Sequence, residues 1–341
     1  MKIGIIGCGR IASDHLAIYR NLEGAQVVAV SDVDVARAAA FAGRFHIDKV
    51  FKSHSDLLSM KNLDFVDICT PPSAHAEIAC DSAESGHNVL LEKPMALSTV
   101  ECDRIIHAVE KHRISLCVCH NQIFFPAIAE ARRQIDAGYY SVVSFRTSVR
   151  ENPDLYSVPA WNTSSTEKGI LWEVGCHPAY VQLHILGDVT EVYAAGNKVR
   201  YPVFDEFSVL LKTPSRSYGI MEVSWLTGQS EKIYEINCTD GKRAFMVAPP
   251  PRASEGYETL VEKAGIAHSS LTSEVKRTFK RFTGKKSLGY FVGHYYLIAA
   301  FIESLKAASP SPVTPQDGRK TVRLLECIEK SLDTHTVVSV K

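Results

Sequence analysis

The sequence predicts an α/β protein: an N-terminal Rossmann-type, doubly wound parallel sheet, followed by a C-terminal α+β domain with a largely antiparallel open sheet. Three observations predict it. Short apolar runs alternate with helical stretches over the first 120 residues. A glycine-rich turn follows the first of those runs. Beyond residue 140, strand-like segments succeed one another through turn residues.

The opening run, Lys2-Ile3-Gly4-Ile5-Ile6, suits a strand buried on both faces. It leads into Gly7-Cys8-Gly9-Arg10-Ile11-Ala12, then a helix over Ser13 to Asn21, then a second apolar run, Gln26 to Ser31, closed by Asp32. Strand, glycine turn, helix, strand and acid within about thirty residues form a complete dinucleotide-binding unit. Gly7 permits the tight turn, Gly9 has no side chain to block a pyrophosphate, and Ala12 lets helix pack closely on strand. The helix start, with Arg10 and Ile11, offers N–H groups and a positive dipole end to phosphates. Asp32 stands where a carboxylate grips ribose hydroxyls and repels a 2′-phosphate, and Val33 and Asp34 bring no cation, so NAD is expected over NADP.

The alternation continues with a helix over Ala36 to Phe45, a strand over Leu63 to Cys69 and a helix over Ser73 to Ser85 stopped by Gly86. A strand over Asn88 to Leu91, a helix over Thr99 to His112 and a strand over Ile114 to Cys119 follow. Right-handed crossovers would bring the ends Thr70-Pro71-Pro72 and Glu92-Lys93-Pro94 to the ligand-bearing edge of a parallel sheet. The pattern then changes, giving a dinucleotide-binding domain over 1–120 and a substrate-binding and oligomerisation domain over 121–341. In the latter, Ala127 to Ala137 and Pro178 to Leu186 read as helices ended by Gly138 and Gly187. Val142 to Arg150, Thr190 to Arg200, Glu206 to Thr213, Ser217 to Trp225 and Lys232 to Asn237 read as strands, in a hairpin order that favours antiparallel pairing.

Composition narrows the partners. The chain has 341 residues, with 38 Lys plus Arg balanced by 38 Asp plus Glu, so nothing draws it generally to nucleic acid or acidic membranes. Its nine cysteines are odd in number and sit mostly in apolar runs, the pattern of reduced thiols rather than a disulfide framework. Cys117-Val-Cys119-His120 has the wrong spacing for a zinc knuckle, so no metal is expected from it. The first apolar run is too short for a targeting peptide, and Tyr290 to Leu305 is too short to span a bilayer, so a cytoplasmic location is expected.

The glycine turn and the two strand ends carry a resemblance to a known family. Together with Thr70-Pro71-Pro72-Ser73-Ala74-His75, Glu92-Lys93-Pro94, Asn121 with Pro126, Glu173-Val174-Gly175-Cys176-His177 and Pro312 to Gly318, they resemble the glucose–fructose oxidoreductase and inositol dehydrogenase (Gfo/Idh/MocA) family over nearly the whole chain. The resemblance implies that Lys93 lies beside the nicotinamide and the reacting hydroxyl, and that His177 faces the same carbon from the second domain. It also implies that Thr70, Pro71, His75 and Glu92 line the cofactor, with Asn121 near its nicotinamide end. The chain departs from the family pattern in having Glu173 and Tyr180 where aspartates are usual, no arginine between Asn121 and Pro126, and Gly169 alone where a glycine run is common.

Chemically, taking hydride from a secondary alcohol requires removal of the hydroxyl proton, which a group titrating near neutrality does best. Histidine qualifies, as does a lysine desolvated beside a positive ring. We expect His177 to carry the proton and Lys93 to polarise the oxygen and share it, with Glu173, four residues before His177, orienting the imidazole if the segment is helical. Tyr180 and Trp161 are the expected substrate contacts; Tyr156 and Trp172 rank lower. Ser273 to Lys286, with Lys276, Arg277, Lys280 and Arg281 around Phe279 and Phe282, reads as a basic amphipathic helix. The expected activity is NAD-dependent oxidation or reduction of a sugar, cyclitol or nucleotide sugar by a homodimer or homotetramer joined through the C-terminal sheet. Two alternatives remain open at this point: a lyase or glycosidase that reduces tightly held NAD only transiently, and a catalytically silent NAD-binding regulator.

Overall fold

The computed structural model describes residues 1–153, 163, 167–228, 230–248 and 292–340. The chain divides into two compact units, Met1–Asn121 with His294–Arg323, and Gln122–Gly293 with Leu324–Lys341. The first unit thus takes in a later segment of the chain, His294–Arg323. The cause is apolar burial on a helix, Val292–Lys306, whose Leu297, Ile298 and Phe301 are fully buried. The Phe301 ring lies 5.4 Å, edge-on, from Phe65 in the sheet.

The first unit is built on strands β1 (Lys2–Ile6), β2 (Gln26–Ser31), β3 (Lys49–Phe51), β4 (Phe65–Ile68), β5 (Asn88–Leu91) and β6 (Leu116–Val118). They form one sheet in the order β3-β2-β1-β4-β5-β6 with every pairing parallel. Helices α1 (Arg10–Tyr19), α2 (Val35–Phe45), α3 (His54–Leu58), α4 (His75–Glu84) and α5 (Thr99–His112) make the crossovers. β3 and α3 carry little sequence signal: β3 is three residues long with an exposed or half-buried pattern, and α3 spans only five residues. The strand order reverses between β1 and β4, which sets the ligand edge of this sheet there.

The second unit carries α6 (Pro126–Asp136), β7 (Val142–Arg150), α7 (Gly169–Glu173), α8 (Cys176–Leu186), β8 (Glu191–Asn197), β9 (Glu206–Lys212), β10 (Tyr218–Ser224), β11 (Glu231–Cys238) and β12 (Arg243–Ala248). Val292–Lys306, α9, and Pro315–Thr334, α10, precede the short strand β13 (Val338–Ser339). The sheet order is β12-β11-β7-β10-β9-β8-β13. It is mostly antiparallel, as expected, but β7 inserts between the consecutive strands β10 and β11 and pairs parallel with β10. On one face α8 crosses the sheet, and Gln182 Nε2 donates to the carbonyls of Phe145 (3.1 Å) and Ile220 (2.9 Å). Gly219 makes this approach possible, since a Cβ there would stand 2.3 Å from Gln182 Oε1. The other face, among the described residues, carries exposed Tyr193, Leu210 and Tyr218.

All nine cysteines are free thiols, as their distribution predicted. No helix among the described residues is long and apolar enough to cross a membrane. Tyr156, Trp161 and the basic segment Ser273 to Lys286 lie outside the described residues.

Candidate active site

The glycine turn between β1 and α1 is built as its residues require. Gly7 has φ +92°, and a Cβ on it would sit 2.7 Å from the Cys69 carbonyl oxygen, so only glycine lets the end of β1 lie against the end of β4. A Cβ on Gly9 would meet nothing within 4 Å, leaving open space in front of the α1 N-terminus. Arg10 is exposed there, Ile11 is half-buried, and Ala12 is fully buried beneath them. Asp32 accepts from the backbone N–H of Cys8 (2.9 Å) and of Asp34 (2.8 Å), which fixes its carboxylate at the end of β2. Arg37 is a cation the sequence reading had not weighed. Its Nε is 3.8 Å from Asp32 Oδ2, and its guanidinium is already engaged by Asp34 at 3.0 Å.

Thr70 Oγ1 is buried without a hydrogen-bond partner among the described residues, and its backbone nitrogen is next to Gly7. Pro71 beside it is exposed. An open phosphate approach over a helix N-terminus, a fixed carboxylate and an orphaned hydroxyl at one sheet edge are the features a bound NAD would satisfy.

The neighbouring strand end presents Lys93, half-buried, whose backbone N–H donates to Glu92 Oε2 (3.1 Å). The Lys93–Pro94 peptide is cis. His75 is fully buried, with Nδ1 2.8 Å from the Pro94 carbonyl and Nε2 3.0 Å from the Thr70 carbonyl. It therefore spans the Thr70 and Lys93 strand ends and holds them in register from below.

The contacts of Glu92 and Asn121 run inward. Glu92 Oε1 lies 3.3 Å from His15 Nε2 and 3.9 Å from His294 Nε2, and Asn121 Nδ2 is 3.2 Å from His294 Nδ1. On its other side His15 Nδ1 faces Asp67 Oδ2 at 2.9 Å, which also accepts from Tyr19 Oη at 2.8 Å. Burial opposes ionisation of Glu92, but His15, His294 and Lys93 hold its carboxyl below the usual range. Burial likewise opposes the charged form of His15, yet the Asp67 carboxylate prevails and raises it above the ordinary histidine value. The sequence reading missed this network. Its one local signal is His15 itself, a polar side chain in the buried stripe Ala12, His15, Leu16, Tyr19 of α1.

In the second unit α7 ends at Glu173 and α8 begins at Cys176, with Gly175 closing tightly on the Leu171 carbonyl. The one-turn spacing expected to place Glu173 on the His177 imidazole is thus interrupted. Instead His177 Nδ1 lies 2.7 Å from Tyr180 Oη, one turn further along α8. That oxygen also accepts the Gln122 N–H at 3.1 Å, and Gln122 Oε1 in turn accepts from Tyr234 Oη. Tyr180 is buried, 2% exposed, with its hydroxyl against the His177 imidazole. Trp172 is fully buried, its Nε1 donating to Glu329 Oε1 (3.3 Å) and its ring under Lys168 Nζ (4.1 Å), which assigns it to the core.

Comparison with known proteins agrees with this architecture. Residues 1–120 match the model of an oxidoreductase family with an NAD-binding Rossmann fold, and residues 128–243 match the GFO/IDH/MocA C-terminal domain. The chain is 27% identical to D-apiose dehydrogenase of Paraburkholderia graminis over 281 residues, 74% of each chain. It is 24% identical to myo-inositol 2-dehydrogenase of Thermotoga maritima, covering 100% of this chain and 99% of the relative. Among solved structures it resembles the WlbA dehydrogenase from Bordetella pertussis in complex with NADH and UDP-GlcNAcA, with a TM-score of 0.82 at 20% identity over 99% and 97% of the two chains.

Proposed function

The chain belongs to the GFO/IDH/MocA oxidoreductase family, with an NAD-binding Rossmann domain, and from that premise we propose that it moves a hydride between NAD and a secondary alcohol or ketone of a sugar, cyclitol or nucleotide sugar. The observation that carries the reading is Lys93, half-buried at a strand end that His75 ties to the Thr70 end, in the unit whose Gly7–Gly9 turn and Asp32 suit NAD. The relatives, an apiose and an inositol dehydrogenase, support the carbohydrate class.

Bound NAD supplies the hydride acceptor. His177 takes the hydroxyl proton during oxidation and returns it during reduction, and Lys93 polarises the same oxygen and shares that proton. Tyr180 positions the imidazole through Nδ1. Trp161 offers an aromatic face to the sugar. The nine free thiols support a reducing, cytoplasmic setting. The face of the second sheet that carries exposed Tyr193, Leu210 and Tyr218 supports a homodimer or homotetramer.

The test is NADH absorbance with the purified protein, NAD and a panel of pyranoses, cyclitols and nucleotide sugars. At least one class should reduce NAD in wild type, and Lys93→Ala with His177→Ala should abolish it. NADH production surviving the double substitution would refute the assignment.

A further inference from the structure

The interior of the first unit holds a second set of chemistry-bearing side chains that hydride transfer does not use. His15 comes from α1, Glu92 follows β5, Cys119 follows β6 and His294 opens the returning helix α9; all four are buried in that unit. One potential ligand atom from each lies within 4.8 Å of all the others. The His15 Nε2–Glu92 Oε1 and His294 Nε2–Glu92 Oε1 separations are 3.3 and 3.9 Å. An ion held tetrahedrally at about 2.0–2.3 Å separates its ligand atoms by roughly 3.3–3.7 Å, so these two edges stand within tenths of an ångström of that range.

An independent observation points the same way. His15 Nε2 and Glu92 Oε1 are both buried without a well-formed hydrogen bond among the described residues, although they face each other. Leaving such atoms unsatisfied costs about 1–3 kcal/mol each, and a single cation between them satisfies both. The surroundings are those of a ligating histidine. Asp67 on His15 Nδ1, itself held by Tyr19 Oη, fixes the ring and directs the Nε2 lone pair at the cluster. Asn121 stands in the same relation to His294 Nδ1, and its amide can be turned to present oxygen there.

The geometry points to a structural metal site in which His15, Glu92, Cys119 and His294 hold one divalent transition-metal ion of the zinc class. Two imidazoles, a thiolate and one carboxylate favour zinc over magnesium or calcium, which prefer sites made of oxygen alone. With four protein ligands and all of them buried, no coordination position is left for substrate, which is the mark of a structural site. The ion would fasten α9 to the sheet and anchor the residue preceding Lys93. The ligands come from four distant points of the chain, so the unsuitable Cys117-Val-Cys119-His120 spacing never bore on it.

The proposal is independent of the redox reading, because metal content is read without turnover. Full-length protein produced with zinc and dialysed against metal-free buffer should retain a single zinc per chain by mass spectrometry. Stripped protein reloaded with cobalt(II) should show thiolate-to-cobalt charge transfer and tetrahedral d–d bands. Cys119→Ser should remove the charge-transfer band, Cys119→Ser and His294→Gln should each weaken zinc binding at least tenfold, and Lys93→Ala should leave both readouts unchanged. Circular dichroism in chelator reports whether the variants are folded; if one is not, the wild-type zinc content and cobalt spectrum decide alone. Folded wild type that holds no zinc and gives no thiolate–cobalt band overturns the proposal, as does metal binding that survives in both folded ligand variants. The first of those outcomes is what a bare His15 imidazolium bridging Asp67 and Glu92 would produce.

Discussion

Lys93 and His177 are constrained by different means. The lysine is set by its backbone, between the Glu92 carboxylate on its N–H and the His75 contact to the Pro94 carbonyl. The histidine is set by its ring, through Tyr180. If the proposed roles hold, replacing either residue by alanine should lower kcat by about 10²–10⁴-fold, the usual range for a proton-transfer group, with NAD affinity unaltered in a direct titration. Tyr180→Phe removes one hydrogen bond, of roughly 1 kcal/mol. Its signature is a fall in kcat and a displaced limb of the pH–rate profile at unchanged KM for NAD; an unmoved profile would mean that Tyr180 only packs. Asp32→Ala should cut the preference for NAD over NADP by about tenfold or more, since it removes the fixed carboxylate and leaves Arg37 nearby; steady-state kinetics with both cofactors measure this. The placement of Gly7, Gly9, Asp32 and Lys93 at strand ends was legible in the sequence because local backbone and chain order set it. The inward turn of Glu92 and the bracing by Tyr180 were not, because their partners, His15, His294 and Gln122, lie 77, 202 and 58 positions away.

The elements show how tightly the glycine turn is specified. Gly7→Ala would force an L-residue to φ +92° with its Cβ 2.7 Å from the Cys69 carbonyl oxygen, so denaturation should show a loss of about 1–3 kcal/mol. Gly9→Ala meets nothing within 4 Å. It should cost at most about 1 kcal/mol of stability at this helix start while weakening NAD binding; stability loss in both variants alike would mean that the open space has no ligand role. The crossover helices and buried strands were readable from their apolar periods, Asn88–Leu91 and Thr99–His112 to the residue. The break between α7 and α8 was not, because no capping side chain marks it; the Gly175 N–H shifts its bond to the Ile170 carbonyl, five residues back. Nor could hairpin signals reveal β7 inserted between β10 and β11, since strand order is set by packing between segments far apart in sequence.

At the scale of the molecule, a parallel unit that suits the nucleotide is joined to a mixed-sheet unit. The exposed Leu210 and Tyr193 sit opposite each other on β9 and β8, so replacing both by glutamate should convert the proposed homo-oligomer to monomers in analytical ultracentrifugation, with each monomer still folded. A wild-type monomer would remove the oligomer from the account. The return of His294–Arg323 to the first unit was hidden from the sequence, where α9 is simply another apolar helix whose docking surface is chosen by shape. Zero net charge leaves recognition to local groups at the sheet edge. The most direct check is calorimetric titration of cofactor-stripped wild-type protein with NAD and with NADP. The account predicts one NAD per chain, bound more tightly than NADP; heat from neither, together with no dinucleotide released when freshly purified protein is denatured, would contradict it.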